Sequence, residues 1–277
     1  MNNKLRIGEI PYANLFPIFY TLKKDCDCSA YEFVAGAPSR VNKLLRDGEI
    51  ALSPSSSIEY LKNPSLYKVI EGHSISSRGA VGSILLFTRE FIEDLGDTVI
   101  QVSSQSETSI ALLDIILQKF YNIKCELRSS ESPERTGAAS FLLIGDDALR
   151  YSSEELKDNG VGERLVYDLG EIWYQKTGLP FVFALWIARA EVYEKDGQRD
   201  LLSRFTNDLD SAKNTALRNL ESIAAHSPMR AFMSGDDILA YWNRLDYELT
   251  DEHKKGLELF RQYLVELELL DTDRQPM

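Results

Sequence analysis

Three segments of this sequence carry residue types that bind small anions. Residues 53–57 (Ser-Pro-Ser-Ser-Ser) precede a predicted helix, residues 103–109 precede a second, and Gly145-Asp146 opens a short third. Free backbone N–H groups and the positive end of the helix dipole make such a start a site for a carboxylate or phosphate. The predicted ligand is small and anionic, with more than one carboxylate, and the predicted ligand-binding residues are Ser56, Ser57, Ser106, Thr108, Ser109, Gly145 and Asp146.

The same residue types also cap helices without binding anything, and for each segment taken alone this alternative stays open. Ser56 and Glu59, for example, have the spacing of a capping box. Three such starts, each following a predicted strand, favour a ligand site, because ligands of open α/β sheets bind beyond the carboxyl ends of the strands.

Other catalytic chemistries find little support in the sequence. The histidines are His73, His226 and His253, and their spacing suggests no serine or cysteine partner. A nucleophile elbow, a Walker motif, a dinucleotide fingerprint and a His-Glu-x-x-His zinc motif are all missing from the sequence. Cys26 and Cys28 have no second ligand pair, so we expect reduced thiols, no metal and no cofactor.

The elements that would position these segments follow an α/β pattern. Short strands and helices alternate through the first two thirds, which favours parallel sheets covered by helices. The apolar stripe of residues 108–121 predicts a core-facing helix, and the apolar run 181–188 predicts a buried strand. The C-terminal part reads as helical, with predicted helices at residues 205–225, 236–248 and 251–269.

Composition limits the class of partner. The chain has 277 residues with 31 Lys and Arg against 43 Asp and Glu, a formal net charge of −12. This charge argues against nucleic acid as a partner, since phosphates require a positive face. The first residues lack the pattern of a secretory signal, and the longest apolar run is too short to cross a bilayer. We therefore expect a cytoplasmic protein without membrane insertion, and the sequence gives no oligomeric state.

An ordered set of motifs resembles the chorismate dehydratase family of the futalosine route to menaquinone. In the first third the motifs are Arg6-Ile7-Gly8, Tyr12-Ala13-Asn14, Pro17, Gly48-Glu49-Ile50, Pro54-Ser55-Ser56-Ser57-Ile58-Glu59-Tyr60 and Gly79-Ala80-Val81-Gly82-Ser83-Ile84. Further along they are Ser106-Glu107-Thr108-Ser109, Leu143-Ile144-Gly145-Asp146-Asp147-Ala148-Leu149, Asp168-Leu169-Gly170-Glu171-Ile172-Trp173, Thr177-Gly178-Leu179-Pro180-Phe181 and Ala184-Leu185-Trp186. The resemblance covers about the first two thirds of the chain and is looser in the terminal helices.

The resemblance implies a two-lobed α/β fold of the type II periplasmic-binding-protein kind with a helical C-terminal segment. Lobe 1 would comprise residues 1–86 and 186–277, lobe 2 would comprise residues 87–185, and the ligand cleft would lie between them. The strands that cross from one lobe to the other would lie near residues 83–88 and 181–187.

The resemblance also implies a reaction, the loss of water from chorismate to give 3-[(1-carboxyvinyl)oxy]benzoate. Asn14 and Ser83 match the two polar catalytic residues of that family. Neither is a good base at neutral pH, so our hypothesis is that the enolpyruvyl carboxylate of the substrate takes the proton. Two alternatives stay open: the sister enzyme of the route that forms dihydroxynaphthoate, and a non-catalytic binding or sensor module for a small carboxylate.

Overall fold

The computed structural model describes residues 4–155 and 164–270, whose strands form two separate sheets. The strands are β1 (Leu5–Glu9), β2 (Tyr31–Ala35), β3 (Leu52–Ser56), β4 (Tyr67–Ser77), β5 (Ile84–Thr88), β6 (Val99–Ser103), β7 (Glu126–Ser130), β8 (Ser140–Ile144), β9 (Leu165–Asp168), β10 (Phe181–Arg189) and β11 (Leu245–Asp246). The α-helices are α1 (Phe16–Asp25), α2 (Pro38–Arg46), α3 (Ser57–Lys62), α4 (Glu107–Ile115), α5 (Gly145–Glu155), α6 (Leu169–Thr177), α7 (Asp196–Arg218), α8 (Leu220–Ala224), α9 (Gly235–Trp242) and α10 (Asp251–Glu266).

Sheet 1 has six strands in the order β11-β4-β10-β3-β1-β2. The strand β1 runs parallel to β2 and β3, whereas β10 runs antiparallel to both of its neighbours, so that Leu185 pairs with Ser55 on β3 and with Ser74 on β4. Almost every residue of β10 is buried, because the strand is central in its sheet and helices α3 and α10 pack against it. The sequence-based prediction of a buried strand here is confirmed, and its continuous apolar run reflects burial on both faces.

Sheet 2 has five strands in the order β7-β6-β8-β5-β9. The strand β6 runs parallel to β7 and β8, and β5 runs antiparallel to β8 and β9. Helix α4 continues into a π-helical turn, Ile116–Phe120. Leu113 and Leu117 of its predicted apolar stripe are buried, and Ile110 and Phe120 are half-buried and pack against the core. The parallel strands β6 and β8 lead at their carboxyl ends into α4 and α5. Both helix starts therefore lie at the same edge of this sheet.

The chain passes between the two sheets twice, and the crossing points differ from the predicted ones. Sheet 1 contains β4 up to Ser77 and sheet 2 begins with β5 at Ile84; the return runs from Asp168 to Phe181 through α6. The predicted boundaries at 86/87 and 185/186 would cut through β5 and β10, and the predicted crossing strands each lie in one sheet. The pairing of β5 with β8 and β9, and of β10 with β3, continues across these boundaries, so a short loop and a helix make the crossings instead. We use lobe 1 for residues 4–77 and 181–270, and lobe 2 for residues 84–155 and 164–168.

A single carboxylate joins the two crossing segments. The side chain of Asp168 accepts hydrogen bonds from the backbone N–H groups of Val81 (3.1 Å) and Gly82 (2.6 Å) on the first segment. It also accepts from Gly170 (2.9 Å) and thereby caps α6 on the second. The backbone N–H of Glu171 donates a fourth hydrogen bond to this carboxylate. Burial raises the pKa of Asp168 in spite of these four hydrogen bonds.

The C-terminal part departs from the prediction in two places. The predicted helix 205–225 begins earlier, at Asp196, and is divided into α7 and α8. The predicted helix 236–248 ends at Trp242, and Leu245–Asp246 forms a short edge strand that pairs with Ser77 and Ser76 of β4. Helix α10 is confirmed and packs on β10 and on α4. None of the helices within residues 4–155 and 164–270 has the length and apolar character that a bilayer crossing requires.

Candidate functional site

A cavity of about 190 Å³ lies between the two lobes. Lobe 1 contributes the loop after β1, one face of α2 and the end of β3, and lobe 2 contributes the loop before α4 and the start of α5. The crossing segment adds Val81 and Ser83. A cavity of this size, lined from both lobes, suits one small organic molecule.

Seven of the nine residues predicted from the sequence line this cavity. They are Asn14, Ser56, Ser83, Ser106, Thr108, Ser109 and Gly145. The two hydroxyl-rich helix starts therefore meet at one place, although residues 53–57 and 103–109 belong to different lobes.

Ser57 and Asp146 do not line the cavity. The Ser57 hydroxyl is buried and donates a hydrogen bond to the carbonyl of Val182 at 2.5 Å, which ties the start of α3 to β10. A carboxylate oxygen of Asp146 accepts from the backbone N–H of Ala13 at 2.9 Å. Asp146 thus supports the loop that carries Asn14, and direct contact with an anionic ligand would be repulsive there.

The capping box predicted at Ser56 does not form. The Ser56 side chain caps no helix N–H; its hydroxyl instead accepts from the amide nitrogen of Asn42 at 3.1 Å. Glu59 accepts a hydrogen bond from the hydroxyl of Tyr67 at 2.7 Å. At α4, by contrast, Ser106 does cap the helix, accepting from the backbone N–H of Ser109 at 3.2 Å.

Asn14 lies in the loop after β1, and two aromatic side chains donate hydrogen bonds to the backbone of this loop. The indole N–H of Trp242 donates to the carbonyl of Ala13 at 2.9 Å, and the hydroxyl of Tyr247 donates to the carbonyl of Asn14 at 2.8 Å. Within the described part of the chain, the buried side-chain oxygen of Asn14 has no hydrogen-bond partner. A buried acceptor of this kind needs a donor, and its place in the cavity lining lets a bound ligand supply one.

Ser83 lies at the junction of three elements. Its hydroxyl oxygen accepts a hydrogen bond from the hydroxyl of Tyr241 on α9 at 3.1 Å, and its carbonyl accepts from the N–H of Gly145 at 2.7 Å. Gly145 has a positive φ of 56°, and a Cβ there would lie 3.2 Å from the ring of Tyr12. Only glycine meets both demands without strain, so this position fixes the approach of α5 to Ser83.

One guanidinium, that of Arg46, stands among the charged side chains of the lining. It lies 3.3 Å from the buried carboxylate of Glu59, and its side chain is about half exposed. Asn42, one helical turn earlier on α2, presents a second buried amide oxygen without a partner in the described residues. The sequence analysis does not identify Asn42 or Arg46 as site residues. Their spacing of four residues, which places them on one face of α2 near a serine-rich strand end, is the pattern from which they could have been predicted.

Histidine takes no part in the cavity lining. His73 is buried in lobe 1, where its ring nitrogen lies 2.9 Å from a carboxylate oxygen of Asp210. Two acids, Glu59 and Glu107, line the cavity. Burial raises the pKa of Asp146 just outside the lining, although the hydrogen bond from Ala13 opposes that shift. Burial likewise raises the pKa of the Tyr12 phenol, which donates to the side chain of Gln105 across the cleft.

A second cavity, of about 400 Å³, lies at the outer end of sheet 1 and contains several basic side chains. Its arginines are already engaged. Arg189 donates to the carbonyls of Leu45 (3.0 Å) and Arg46 (2.6 Å) at the end of α2, and Arg6 donates to the carbonyl of Glu49. These contacts cap α2 and its following turn, so the cavity between the lobes is the better candidate for a functional site.

Comparison with known proteins agrees with this architecture. A family model described as menaquinone biosynthesis matches residues 5–266 of the chain. The chorismate dehydratase of Thermus thermophilus is 27% identical over 268 residues, which covers 93% of this chain and 94% of that protein.

Solved structures show the same fold at low sequence identity. Protein AF1704 from Archaeoglobus fulgidus superposes with a TM-score of 0.75 at 14% identity, covering 97% of this chain and 99% of that one. The periplasmic aliphatic sulphonate binding protein SsuA from Escherichia coli gives a TM-score of 0.67 at 15% identity, covering 97% and 88%. The predicted fold class, a two-lobed α/β fold like that of periplasmic binding proteins, is thereby confirmed.

Proposed function

The chain belongs to the menaquinone biosynthesis family, and from this membership we propose that it is a chorismate dehydratase. In this reaction chorismate loses water to give 3-[(1-carboxyvinyl)oxy]benzoate. The likeness to the Thermus thermophilus enzyme along nearly the whole of both chains supports the proposal. The observation that carries it is the cavity between the lobes, where Asn14 and Ser83 lie among the hydroxyl-bearing starts of two helices.

The polar groups of the cavity fit the chemistry of a dicarboxylate. Ser106 and Ser109 place hydroxyls at the start of α4, and Ser56 places one at the start of α3. Arg46 adds a positive charge on the lobe 1 side. Charge-assisted hydrogen bonds from such groups are stronger than neutral ones, so they can fix both carboxylates and with them the ring.

The elimination itself needs three events at adjacent ring carbons. A base removes the proton from the carbon that bears the enolpyruvyl ether, the C–H electron pair forms a new ring double bond, and the neighbouring C–O bond breaks. The leaving hydroxyl combines with a proton to give water, and the ring becomes aromatic. The cavity lining holds neither a histidine nor a cysteine for the first step, and its two carboxylates, Glu59 and Glu107, are paired with Arg46 and Lys62. The substrate's own enolpyruvyl carboxylate serves as the base in our proposal.

The protein then contributes position and hydrogen bonds. The unpartnered amide oxygen of Asn14 can accept from the ring hydroxyl and orient it, while its amide nitrogen can donate to an ether or carboxylate oxygen. The Ser83 hydroxyl can donate to an oxygen on which negative charge develops. Holding the substrate carboxylate against the ring proton converts the transfer into an intramolecular step, which is worth several orders of magnitude in rate when geometry is good.

The test is turnover of chorismate by the purified protein, followed by ultraviolet absorbance and by chromatographic identification of the product. We expect stoichiometric formation of 3-[(1-carboxyvinyl)oxy]benzoate and loss of activity in Asn14→Ala. Tight binding of chorismate without conversion would instead identify a binding module. Conversion of a cyclic futalosine derivative, with chorismate untouched, would identify the sister activity.

A further inference from the structure

The hydroxyl of Tyr241 reaches the candidate catalytic residue Ser83 from outside the cavity. Tyr241 lies on α9, is 3% exposed, and its hydroxyl donates to the Ser83 hydroxyl oxygen at 3.1 Å. Tyr241 does not line the cavity, so any effect on a bound ligand must pass through Ser83. Nothing in the resemblance of the N-terminal two thirds points to this residue.

The direction of this hydrogen bond determines where the Ser83 proton can go. A hydroxyl has one proton and two acceptor sites. If Ser83 donated to Tyr241, the buried phenol proton would need another acceptor, and a buried donor without one is costly. The Tyr241 hydroxyl is therefore the donor, and burial, which raises the pKa of this phenol, keeps its proton in place. With one acceptor site of Ser83 occupied, its proton is free to point into the cavity.

The surrounding contacts make this arrangement rigid. Trp242 and Tyr247, neighbours of Tyr241 in the chain, hold the carbonyls of Ala13 and Asn14. One short segment therefore supports both catalytic candidates, Asn14 through its backbone and Ser83 through its side chain. Aromatic residues suit this task, because buried tyrosine and tryptophan combine a large packed surface with a single directed donor.

We propose that Tyr241 is a positioning residue that directs the Ser83 hydroxyl proton toward the leaving oxygen of the substrate. This inference rests on the proposed function and adds a residue to its machinery. Two hydrogen bonds in series, phenol to serine to substrate, polarise one another, so the Ser83 proton becomes a better donor where charge develops. The effect belongs to the transition state and should appear in kcat more than in KM.

The experiment is a double-mutant cycle with Tyr241→Phe and Ser83→Ala on chorismate turnover. We expect Tyr241→Phe to lower kcat about five- to tenfold, the scale of one hydrogen bond, with KM changed less than about twofold. In the Ser83→Ala background the same substitution should change kcat by less than about twofold. Tyr31→Phe is the matched control: Tyr31 is equally buried, donates to Asp208 at 2.5 Å, and lies outside the cavity lining.

Each outcome of the cycle decides the question. Unchanged kcat in Tyr241→Phe, or an equal loss in both backgrounds, overturns the positioning role. If Tyr241→Phe does not fold, 3-fluorotyrosine at position 241 keeps the packing and makes the phenol a stronger donor. With Ser83 present, the kcat of this fluorinated protein must then differ from that of the wild type. In the Ser83→Ala background the fluorinated and unfluorinated proteins must have the same kcat, and any other pattern overturns the role. A wild-type protein that does not convert chorismate rejects the proposed function, and this inference with it.

Discussion

The hydroxyl oxygen of Thr108 accepts a hydrogen bond from the backbone N–H of Ile58 at 3.2 Å. Thr108 lies in the first turn of α4 in lobe 2, and Ile58 lies in the first turn of α3 in lobe 1. The contact is buried, joins the two lobes and lies directly beside the cavity. The lobes are held together by the same helix starts that are expected to bind the substrate.

Replacing Thr108 by valine should therefore weaken ligand binding through the loss of this contact between the lobes. We expect chorismate affinity to fall about tenfold, since lobes closed around the substrate then leave one buried N–H without its acceptor. Calorimetric titration of the variant measures the change. Thr98→Val is the control, because Thr98 donates to the carbonyl of Leu95 within lobe 2 at 2.7 Å. A lower melting temperature with unchanged affinity in Thr108→Val would show that the contact serves folding alone.

Asn14 and Ser83 should each be needed for turnover. Asn14→Ala and Ser83→Ala are expected to lower kcat by roughly 10²-fold, the scale of removing one oriented group from a water-excluded site. Steady-state kinetics on chorismate provides the measurement. Asn219→Ala serves as control, because it also removes a side-chain amide, one that lies on an exposed part of lobe 1 and donates to the carbonyl of Thr215 at 2.7 Å. Two variants with near wild-type kcat would contradict the assignment.

Arg46 should supply charge to binding rather than to chemistry. Arg46→Gln is expected to weaken chorismate binding about tenfold at low salt, with a smaller difference at high salt because salt screens the interaction. Isothermal titration at two ionic strengths measures both effects. Arg204→Gln is a matched control, since the two arginine side chains are similarly exposed, 49% and 43%, and Arg204 pairs with Asp27 away from the cavity. If Arg46→Gln and the wild type had equal affinities, Arg46 would not contribute to binding, and hydroxyl and backbone N–H donors would bind both substrate carboxylates.

His73 should affect stability and leave catalysis alone. Burial, together with the charge of Lys213, lowers the pKa of His73 below its usual 6.5, and the carboxylates of Asp210 and Glu248 oppose the shift only in part. The unfolded chain takes up a proton as pH falls through 6.5, while the folded protein resists it to a lower pH. The contribution of His73 to the free energy of unfolding is therefore fully present above pH 6.5 and is lost as the pH falls below it.

Urea unfolding between about pH 5.5 and 7.5 measures this slope, and the difference between wild type and His73→Gln isolates it from carboxylates that titrate lower. We expect a flatter profile in His73→Gln and a kcat within a few-fold of wild type. His226→Gln, at an exposed position, is the control. A His73→Gln protein that folds but has lost its turnover would overturn the substrate-assisted mechanism.

Local sequence patterns predicted the elements and most of the site. The strand at residues 181–188 and the helix start at Ser106 were found because their apolar run and capping residues act locally. The spacing of Ser56 and Glu59 was misleading, because Glu59 finds Tyr67 and Arg46 as tertiary partners and Ser56 finds Asn42. A local rule fails where partners distant in sequence satisfy the same atoms.

The C-terminal support of the site was not predictable from any local pattern. The edge strand β11 has two residues, and its pairing with Ser76 and Ser77 depends on a strand about 170 residues earlier in the chain. The same holds for the hydrogen bonds of Tyr241 and Tyr247. In the sequence the helical pattern continues through residues 243–248. The helix ends at Trp242 because Leu245 and Asp246 pair with β4, which only the assembled sheet shows.

The central position of β10 in sheet 1 has a consequence for the order in which the protein folds during synthesis. The strands β3 and β4 are not neighbours in the sheet; β10 lies between them, and the ribosome makes it only after all of lobe 2. Lobe 2 is a continuous stretch and can form its sheet as soon as it emerges, whereas lobe 1 must wait with an incomplete sheet. Asn14 is made well before Tyr247, whose hydroxyl holds the carbonyl of Asn14. The candidate site of a nascent chain therefore lacks its full support until Tyr247 has left the ribosome.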